Sequence, residues 1–230
     1  MLGSDIAHTQ LAYADGSLWL YAARNGPEVL RLSPSTGAVE HRYTNVPQIG
    51  GYLPLIAATP GYLWLAGGAG SGADFVRLDV GDGTEKTVLL AGDYASVYDM
   101  AGVGEQLYFL YLARAKGDKG VALDSFVGRL GANGALLATS PEEQVGTTLV
   151  GSPRALYSVG PGPTCTGGLT IWRLDPRSLR TTVLTALAPP GNPCPGEAGE
   201  RPVALAAGSI FVLYSAGTAT AAVLYRVKVG

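Results

Sequence analysis

The chain has 230 residues, of which 47% are hydrophobic and only 15% charged, with 33 Gly, 15 Pro, 2 Cys and a formal net charge of −2. Globular domains on average carry roughly 25% charged residues and about 7% Gly, so glycine is doubled here and charge is nearly halved. This composition excludes a disordered chain, which needs more charge and fewer apolar residues, and a long-helix protein, because each Gly costs a helix about 1 kcal/mol.

Charge and hydropathy exclude two further classes of partner. The 16 basic and 18 acidic residues form no long run of either sign, so we expect no nucleic-acid partner. Residues 203–225 carry no charge and are long enough to suggest a membrane helix. Gly, Ser and Thr interrupt this stretch, however, and it keeps the repeat pattern described below. We therefore expect no membrane span, and residues 1–10 do not resemble a signal peptide.

Four short extended segments make up the first part of the chain. Residues 11–14, 18–21, 29–32 and 38–43 are rich in β-favouring side chains, and turn residues such as Asp15-Gly16 and Pro34 separate them. Such runs predict strands joined by hairpins. The same plan recurs in the second part, with segments at 55–58, 63–65, 75–78 and 87–90.

Two dipeptide patterns alternate five times along the chain. The first is an aliphatic residue followed by an aromatic one, at Leu18-Trp19, Leu63-Trp64, Leu107-Tyr108, Leu156-Tyr157 and Ile210-Phe211. The second is an arginine followed by Leu or Val, with the arginines at Arg31, Arg77, Arg129, Arg173 and Arg226. Four strands in a repeat of about 40–50 residues match one blade of a β-propeller.

These repeats resemble those of a known group of propellers. The stretches at 15–20, 29–37 and 171–176 resemble blade repeats of virginiamycin B lyase-like, NHL, YVTN and quinoprotein-like β-propellers. The resemblance implies a single all-β domain over 1–230, with five four-stranded repeats of about 45 residues, the last without its outer strand. The predicted blades are approximately 11–43, 54–90, 97–139, 148–185 and 203–230. A five-bladed propeller and a fragment of a larger propeller both fit this pattern.

The resemblance does not extend to catalytic residues. Virginiamycin B lyase-like enzymes use a histidine and acidic residues around a divalent metal, but His8 and His41 have no matching companions in this sequence. Quinoprotein-like dehydrogenases commonly use adjacent cysteines, whereas Cys165 and Cys194 are far apart. We therefore predict no catalytic residue, no metal site and no cofactor.

Connection lengths indicate which face binds. The links from second to third strand and from blade to blade are long, and in a propeller both sets emerge on one face, which we call the long-loop face. Long loops on a rigid scaffold concentrate binding residues. The candidates are Arg24, Asn25, Tyr52, Asp93, Tyr94, Arg114, Lys116, Asp118 and Lys119, with Glu28, Asn45, Gln48 and Asp124 as further polar residues.

The densest charge cluster lies in residues 114–120 of the third repeat. A mobile, solvated loop accounts for this cluster, and so does a contact surface for a protein or an acidic glycan. The recurrent arginines also have two interpretations: they form an anion-binding ring, or they lie between blades and bond carbonyl or carboxylate oxygens. The second interpretation is favoured.

Two proline-rich loops of the fourth repeat carry the cysteines, and both loops belong to the long-loop face. We predict a disulfide between Cys165 and Cys194, which would stabilise the fold by roughly 3–4 kcal/mol. A disulfide implies an extracytoplasmic protein, whereas two reduced thiols would imply a cytoplasmic one.

Two functions remain open on the sequence. The favoured one is a non-catalytic extracytoplasmic propeller that binds a protein, a glycan or a small molecule on the long-loop face. The alternative is a propeller enzyme, such as a lyase, lactonase or hydrolase, with carboxylates at the central channel. Its candidate residues are Asp93, Asp99 and Glu105.

Overall fold

The computed structural model describes residues 11–22, 27–44, 46, 54–67, 73–90, 94–113, 124–140, 146–152, 154–161, 169–187, 203–215 and 222–229. Within these ranges the secondary structure is entirely strands and turns. No helix in this part of the chain is long and apolar enough to cross a membrane.

The strands form five antiparallel sheets that follow one another along the chain. Blade 1 contains β1 (Leu11–Ala14), β2 (Ser17–Ala22), β3 (Glu28–Leu32) and β4 (Val39–Tyr43). Blade 2 contains β5 (Pro54–Thr59), β6 (Tyr62–Gly67), β7 (Ala73–Asp79) and β8 (Glu85–Leu90). Blade 3 contains β9 (Tyr94–Val103), β10 (Gln106–Ala113), β11 (Asp124–Leu130) and β12 (Leu136–Thr139).

Blade 4 contains β13 (Thr148–Ser152), β14 (Ala155–Pro161), β15 (Leu169–Leu174) and β16 (Thr181–Leu187). Blade 5 contains β17 (Val203–Ala206), β18 (Ser209–Ser215) and β19 (Ala222–Lys228). The sheets are the blades of a five-bladed β-propeller, which confirms the predicted fold class. The fifth sheet has three strands among the described residues, as the sequence indicated.

Tight hairpins join the first and second strands of each blade. Asp15 and Gly16 have φ angles of 50° and 73°, and Ala207 and Gly208 have φ angles of 47° and 65°. Two successive residues with positive φ form the turn whose twist matches that of the flanking strands. These hairpins and the turns between third and fourth strands lie on the face opposite the long loops, which we call the tight-turn face.

The two repeated dipeptides meet across the sheet. In every blade the aromatic residue of the second strand is the direct cross-strand partner of the arginine of the third strand. The pairs are Trp19 with Arg31, Trp64 with Arg77, Tyr108 with Arg129, Tyr157 with Arg173, and Phe211 with Arg226. The in-phase repeats therefore mark one structural position in each blade.

The hydrophobic core lies between blades. Four separate clusters of buried side chains each combine residues from two neighbouring blades. Their largest fully buried members include Trp19, Trp64, Tyr108, Phe75 and Phe109. Because both faces of a sheet are covered by neighbours, strands such as β6 and β10 lose the alternation of polar and apolar residues that a one-sided sheet shows.

Glycines allow the first strands of blades 2, 3 and 4 to approach closely. A Cβ atom at Gly102 would overlap the carbonyl oxygen of Ala58, and one at Gly151 would overlap the carbonyl oxygen of Gly102. Ala58, Gly102 and Gly151 occupy equivalent positions, since each pairs with the residue that precedes the repeated aromatic of its blade. Larger side chains at Gly102 or Gly151 would force the blades apart.

One face of blade 5 is open. The third-strand residue two positions before the repeated arginine is fully buried in the first four blades, at Val29, Phe75, Val127 and Ile171, each 0% exposed. The equivalent residue of blade 5 is Leu224, and it is 62% exposed. The face that each of the first four blades buries against the next blade is therefore exposed on blade 5.

This difference predicts unequal costs of truncation at equivalent positions. Ile171→Ala removes a fully buried side chain and should lower the free energy of unfolding by about 2–5 kcal/mol. Leu224→Ala should change it by no more than about 0.5 kcal/mol, because the side chain is already exposed. Urea denaturation of both variants measures the two values. Equal losses would show that Leu224 is buried in solution.

Candidate functional site

Two of the five repeated arginines connect neighbouring blades. Arg77 in blade 2 donates through Nη1 to the carbonyl oxygen of Ala132, in the β11–β12 turn of blade 3. Arg129 in blade 3 donates to the carbonyl oxygen of Pro176, in the β15–β16 turn of blade 4, at 2.7 Å. The prediction that these arginines bond carbonyls between blades is confirmed at both junctions.

At the junction of blades 1 and 2, a tyrosine instead of an arginine bonds the turn carbonyl of the next blade. Val80 follows Arg77 by three positions, just as Ala132 follows Arg129 and Pro176 follows Arg173. Its carbonyl oxygen accepts a hydrogen bond from the Tyr43 hydroxyl at 3.2 Å. Burial raises the pKa of Tyr43, which keeps this hydroxyl protonated as a donor.

The Arg31 side chain therefore bonds to residues of its own blade. Its Nε donates to Ser17 Oγ at 2.8 Å and lies 3.4 Å from Glu40 Oε2. The guanidinium also lies over the Trp19 ring, 5.7 Å from the ring centroid. These three contacts fix the direction of the side chain.

A polar cleft opens where Arg31 departs from the pattern. Its volume is about 470 Å³, and its lining residues are Arg31, Glu40, His41, Tyr43, Val80, Gly81 and Asp82. We call it the blade 1–2 cleft, and it lies on the tight-turn face. His41 lies on the outer strand β4, as the sequence predicted, and the edge of its ring packs against that of Tyr43, with the centroids 4.5 Å apart. Across the described ranges, no three His, Cys, Asp or Glu side chains are grouped closely enough to hold a metal ion.

Asp99 joins the first strands of blades 3 and 4. Its Oδ1 accepts from the Met100 N–H at 2.8 Å, and its Oδ2 accepts from the Leu149 N–H at 2.5 Å. Burial raises its pKa to about 7, against the opposing effect of the two N–H groups. Both oxygens are therefore engaged with the backbone.

Two carboxylates of the alternative enzyme, those of Asp99 and Glu105, do not converge. Glu105 is exposed in the hairpin turn after β9, roughly 13 Å of strand beyond Asp99. Asp93 lies outside the described residues. A catalytic pair needs both groups close to one reacting atom, and Asp99 and Glu105 do not meet that condition.

Blade 3 contains β9, the longest of the described strands. Strand β9 has 10 residues, and its pairing with β10 shifts register after Leu110 and again after Leu112. Such bulges twist a strand and redirect its side chains. Tyr98, at the first shift, donates to Ser125 Oγ at 2.6 Å. The two strands that carry the 114–123 connection are thus anchored to β9.

A row of aromatic rings supports the same end of blade 3. Centroid distances are 5.0 Å for Phe75 and Phe109, 5.3 Å for Phe109 and Tyr111, and 5.8 Å for Tyr111 and Phe126. Aromatic pairs at such distances stabilise beyond their buried area. Gly128 lies opposite Phe109 and leaves room for its ring.

Most predicted binding residues lie outside the described part of the chain. This holds for Arg24, Asn25, Tyr52, Asp93, Arg114, Lys116, Asp118 and Lys119, and for Asn45 and Gln48. Tyr94 begins β9 opposite Ala113 and Asp124 begins β11, but neither side chain is described. Glu28 begins β3, and both of its carboxylate oxygens accept from Arg42 Nη1. Cys165 and Cys194 are likewise outside the described residues, so their disulfide stays a prediction.

Comparisons with known proteins support the fold. No protein-family profile and no curated protein matches the chain. Solved structures that are similar include Kuenenia stuttgartiensis hydrazine synthase, with 12% identity and a TM-score of 0.55 over 93% of this chain and 58% of that chain. The polysaccharide lyase Uly1 has 14% identity and a TM-score of 0.58, over 96% and 58% of the two chains.

An oligogalacturonate lyase in complex with manganese has 9% identity and a TM-score of 0.54, over 93% of this chain and 59% of that chain. The chain therefore spans less than two thirds of each of these three proteins. At such identities the similarity concerns the fold, and it confirms the fold-level resemblance to propeller proteins that the repeats indicated.

The Asp99 contact predicts a pH-dependent stability. The folded-state pKa of about 7 exceeds the ordinary value of 3.8, so the folded protein holds the proton more tightly. The free energy of unfolding should therefore fall as the pH rises from about 4 to about 7 and then level off. Asp99→Asn should remove this contribution, whatever its stability at a single pH. Urea denaturation from pH 4 to 8 measures the slope.

The exposed carboxylate of Asp74 provides a control, because Asp74→Asn removes one charge without touching a blade junction. Identical slopes for wild type and Asp99→Asn would contradict the contribution of Asp99.

Proposed function

We propose that this protein is a non-catalytic, extracytoplasmic β-propeller that binds a protein, a glycan or a small molecule on its long-loop face. The observation that carries the proposal is the extended end of blade 3. There, the long β9, its two register shifts and the row of aromatic rings hold the strands that carry the 114–123 connection. A rigid base beneath a long loop is typical of binding surfaces.

Strand order supports the choice of face. Because successive strands are antiparallel, the connections between second and third strands leave the same end of each blade as those between blades. The three longest connections, residues 44–53, 114–123 and 188–202, all belong to this set. First-to-second-strand hairpins on the opposite face contain only two residues, such as Asp15 and Gly16.

The charge of the 114–123 connection favours an anionic partner. Arg114, Lys116 and Lys119 outnumber the single acidic residue, Asp118. Exposed charges of one sign attract partners of the other sign and accelerate association. Two structural neighbours are named as a polysaccharide lyase and an oligogalacturonate lyase, which favours a glycan bearing carboxylates within the proposed range of ligands.

A binding role also agrees with the position of Asp99. This buried carboxylate accepts N–H groups from two strands and holds blades 3 and 4 together. The function proposed here assigns it to the scaffold and places recognition on the loops.

Substitution of the basic residues tests the binding surface. The triple variant Arg114→Ala, Lys116→Ala, Lys119→Ala should lose binding to an array of acidic glycans and acidic proteins by at least about tenfold, because the attraction between opposite charges is removed. The matched control is Arg154→Ala, Arg177→Ala, Arg180→Ala, which removes three exposed arginines from the tight-turn face. Equal binding by wild type and the loop variant would contradict the proposal.

The register of blade 4 supports the proposed disulfide. Pro161 pairs with Leu169, which pairs in turn with Leu187, so the ends of β14 and β16 lie roughly 10 Å apart. Cys165 is four residues beyond Pro161, and Cys194 is seven beyond Leu187. Extended chain spans about 3.4 Å per residue, so both cysteines have the reach to bond, which agrees with an extracytoplasmic location.

Mass spectrometry tests the disulfide and, with it, the proposed location. The intact protein purified from an oxidising compartment should gain about two daltons on reduction, since each sulfur regains one hydrogen atom. Cys165→Ser, Cys194→Ser serves as the reference, and its mass should not change with reductant. A wild-type mass that is the same with and without reductant would remove the argument for an extracytoplasmic location.

A further inference from the structure

The blade 1–2 cleft exists because Tyr43, and not Arg31, bonds the turn carbonyl of blade 2. At the two following junctions an arginine reaches the turn carbonyl of the next blade. At the first junction Tyr43 bonds that carbonyl, and Arg31 is held by Ser17 and Glu40 instead. The space beside the turn, which a reaching Arg31 would enter, is open as a cleft of about 470 Å³. This volume is within the range of sites for small molecules.

The lining of the cleft combines hydrogen-bond donors and acceptors. Arg31 supplies N–H donors, His41 supplies imidazole nitrogens, and Glu40 and Asp82 supply carboxylate oxygens. Asp82 is ionised at neutral pH, and hydrogen bonds from Thr84 lower its pKa further. The Arg31 and Glu40 side chains are 40% and 45% exposed, so a ligand has access to both.

This combination of charges selects among ligand classes. An anion would bind Arg31 but would be repelled by Glu40 and Asp82, and an apolar molecule would leave the polar groups unpaired. A hydroxyl group both donates and accepts. A molecule with several hydroxyls can therefore donate to the two carboxylates and accept from Arg31 in the same pose.

We propose that the blade 1–2 cleft is a binding site for a neutral saccharide. Its sugar hydroxyls donate to Glu40 and Asp82 and accept from the Arg31 guanidinium, and the His41 imidazole provides a further polar contact. Arg31 is already oriented by Ser17 Oγ, by Glu40 and by the Trp19 ring. Ligand binding thus pays little conformational entropy to order this side chain.

The site is independent of the surface proposed for the long loops. It is built from β3, β4 and the β7–β8 turn, on the tight-turn face. The two sites lie on opposite faces of the propeller, so each can be removed without altering the other.

Isosteric substitution on an array of neutral glycans tests the site. Wild-type protein should bind at least one neutral glycan, and Glu40→Gln, Asp82→Asn should weaken that binding by tenfold or more, because an amide offers fewer acceptor oxygens than a carboxylate. Glu105→Gln, Asp175→Asn is the matched control, since it neutralises two exposed carboxylates of the tight-turn face outside the cleft. The triple loop variant should also bind as wild type does.

A second variant tests the origin of the cleft. Tyr43→Phe keeps every charge but frees the Val80 carbonyl oxygen for Arg31. Arg31 should then occupy the cleft, and binding of the same glycan should fall by tenfold or more. Thermal unfolding checks that both variants are folded. Failure of the wild type to bind any neutral glycan, or undiminished binding by the folded variants, would overturn the proposal.

Discussion

Burial of one apolar sheet face against the next is the interaction on which this propeller depends. The third-strand positions at Val29, Phe75, Val127 and Ile171 are completely enclosed, although each belongs to a different blade. Hydrophobic burial of this kind is the main favourable term in folding. Because both faces of most blades are covered, few strand positions accept a charge, which accounts for the low charge content of the chain.

Polar groups between blades are bonded largely to backbone atoms of the next blade, although Nε of Arg77 and Nε of Arg129 are buried without a hydrogen-bond partner. Arg77 and Arg129 bond turn carbonyls, Tyr43 does so at the first junction, and Asp99 accepts from two backbone N–H groups. Unpaired buried polar groups cost about 1–3 kcal/mol each. These hydrogen bonds therefore position the blades relative to one another, and replacing one of them alters the local shape, as the blade 1–2 cleft illustrates.

The fold was predictable from the sequence because its signal is periodic. The pairs Trp19 with Arg31 and Trp64 with Arg77 recur in phase, and each marks adjacent strands of one blade. The cleft and the Asp99 contact were not predictable, because both depend on contacts between blades. Tyr43 bonds a residue 37 positions away, and Asp99 one 50 positions away. Neither spacing repeats in the chain, so no sequence pattern indicated the contact.

The open face of blade 5 determines where the molecule should begin to unfold. In an array of stacked repeats, the stability of each unit depends on its interfaces with its neighbours. Blade 5 shares a buried cluster with blade 4, while Leu213 and Leu224 on its other side are exposed. Its strands should open locally at a lower free energy than those of blades 2 and 3, so amide hydrogens of β17–β19 should exchange with solvent first.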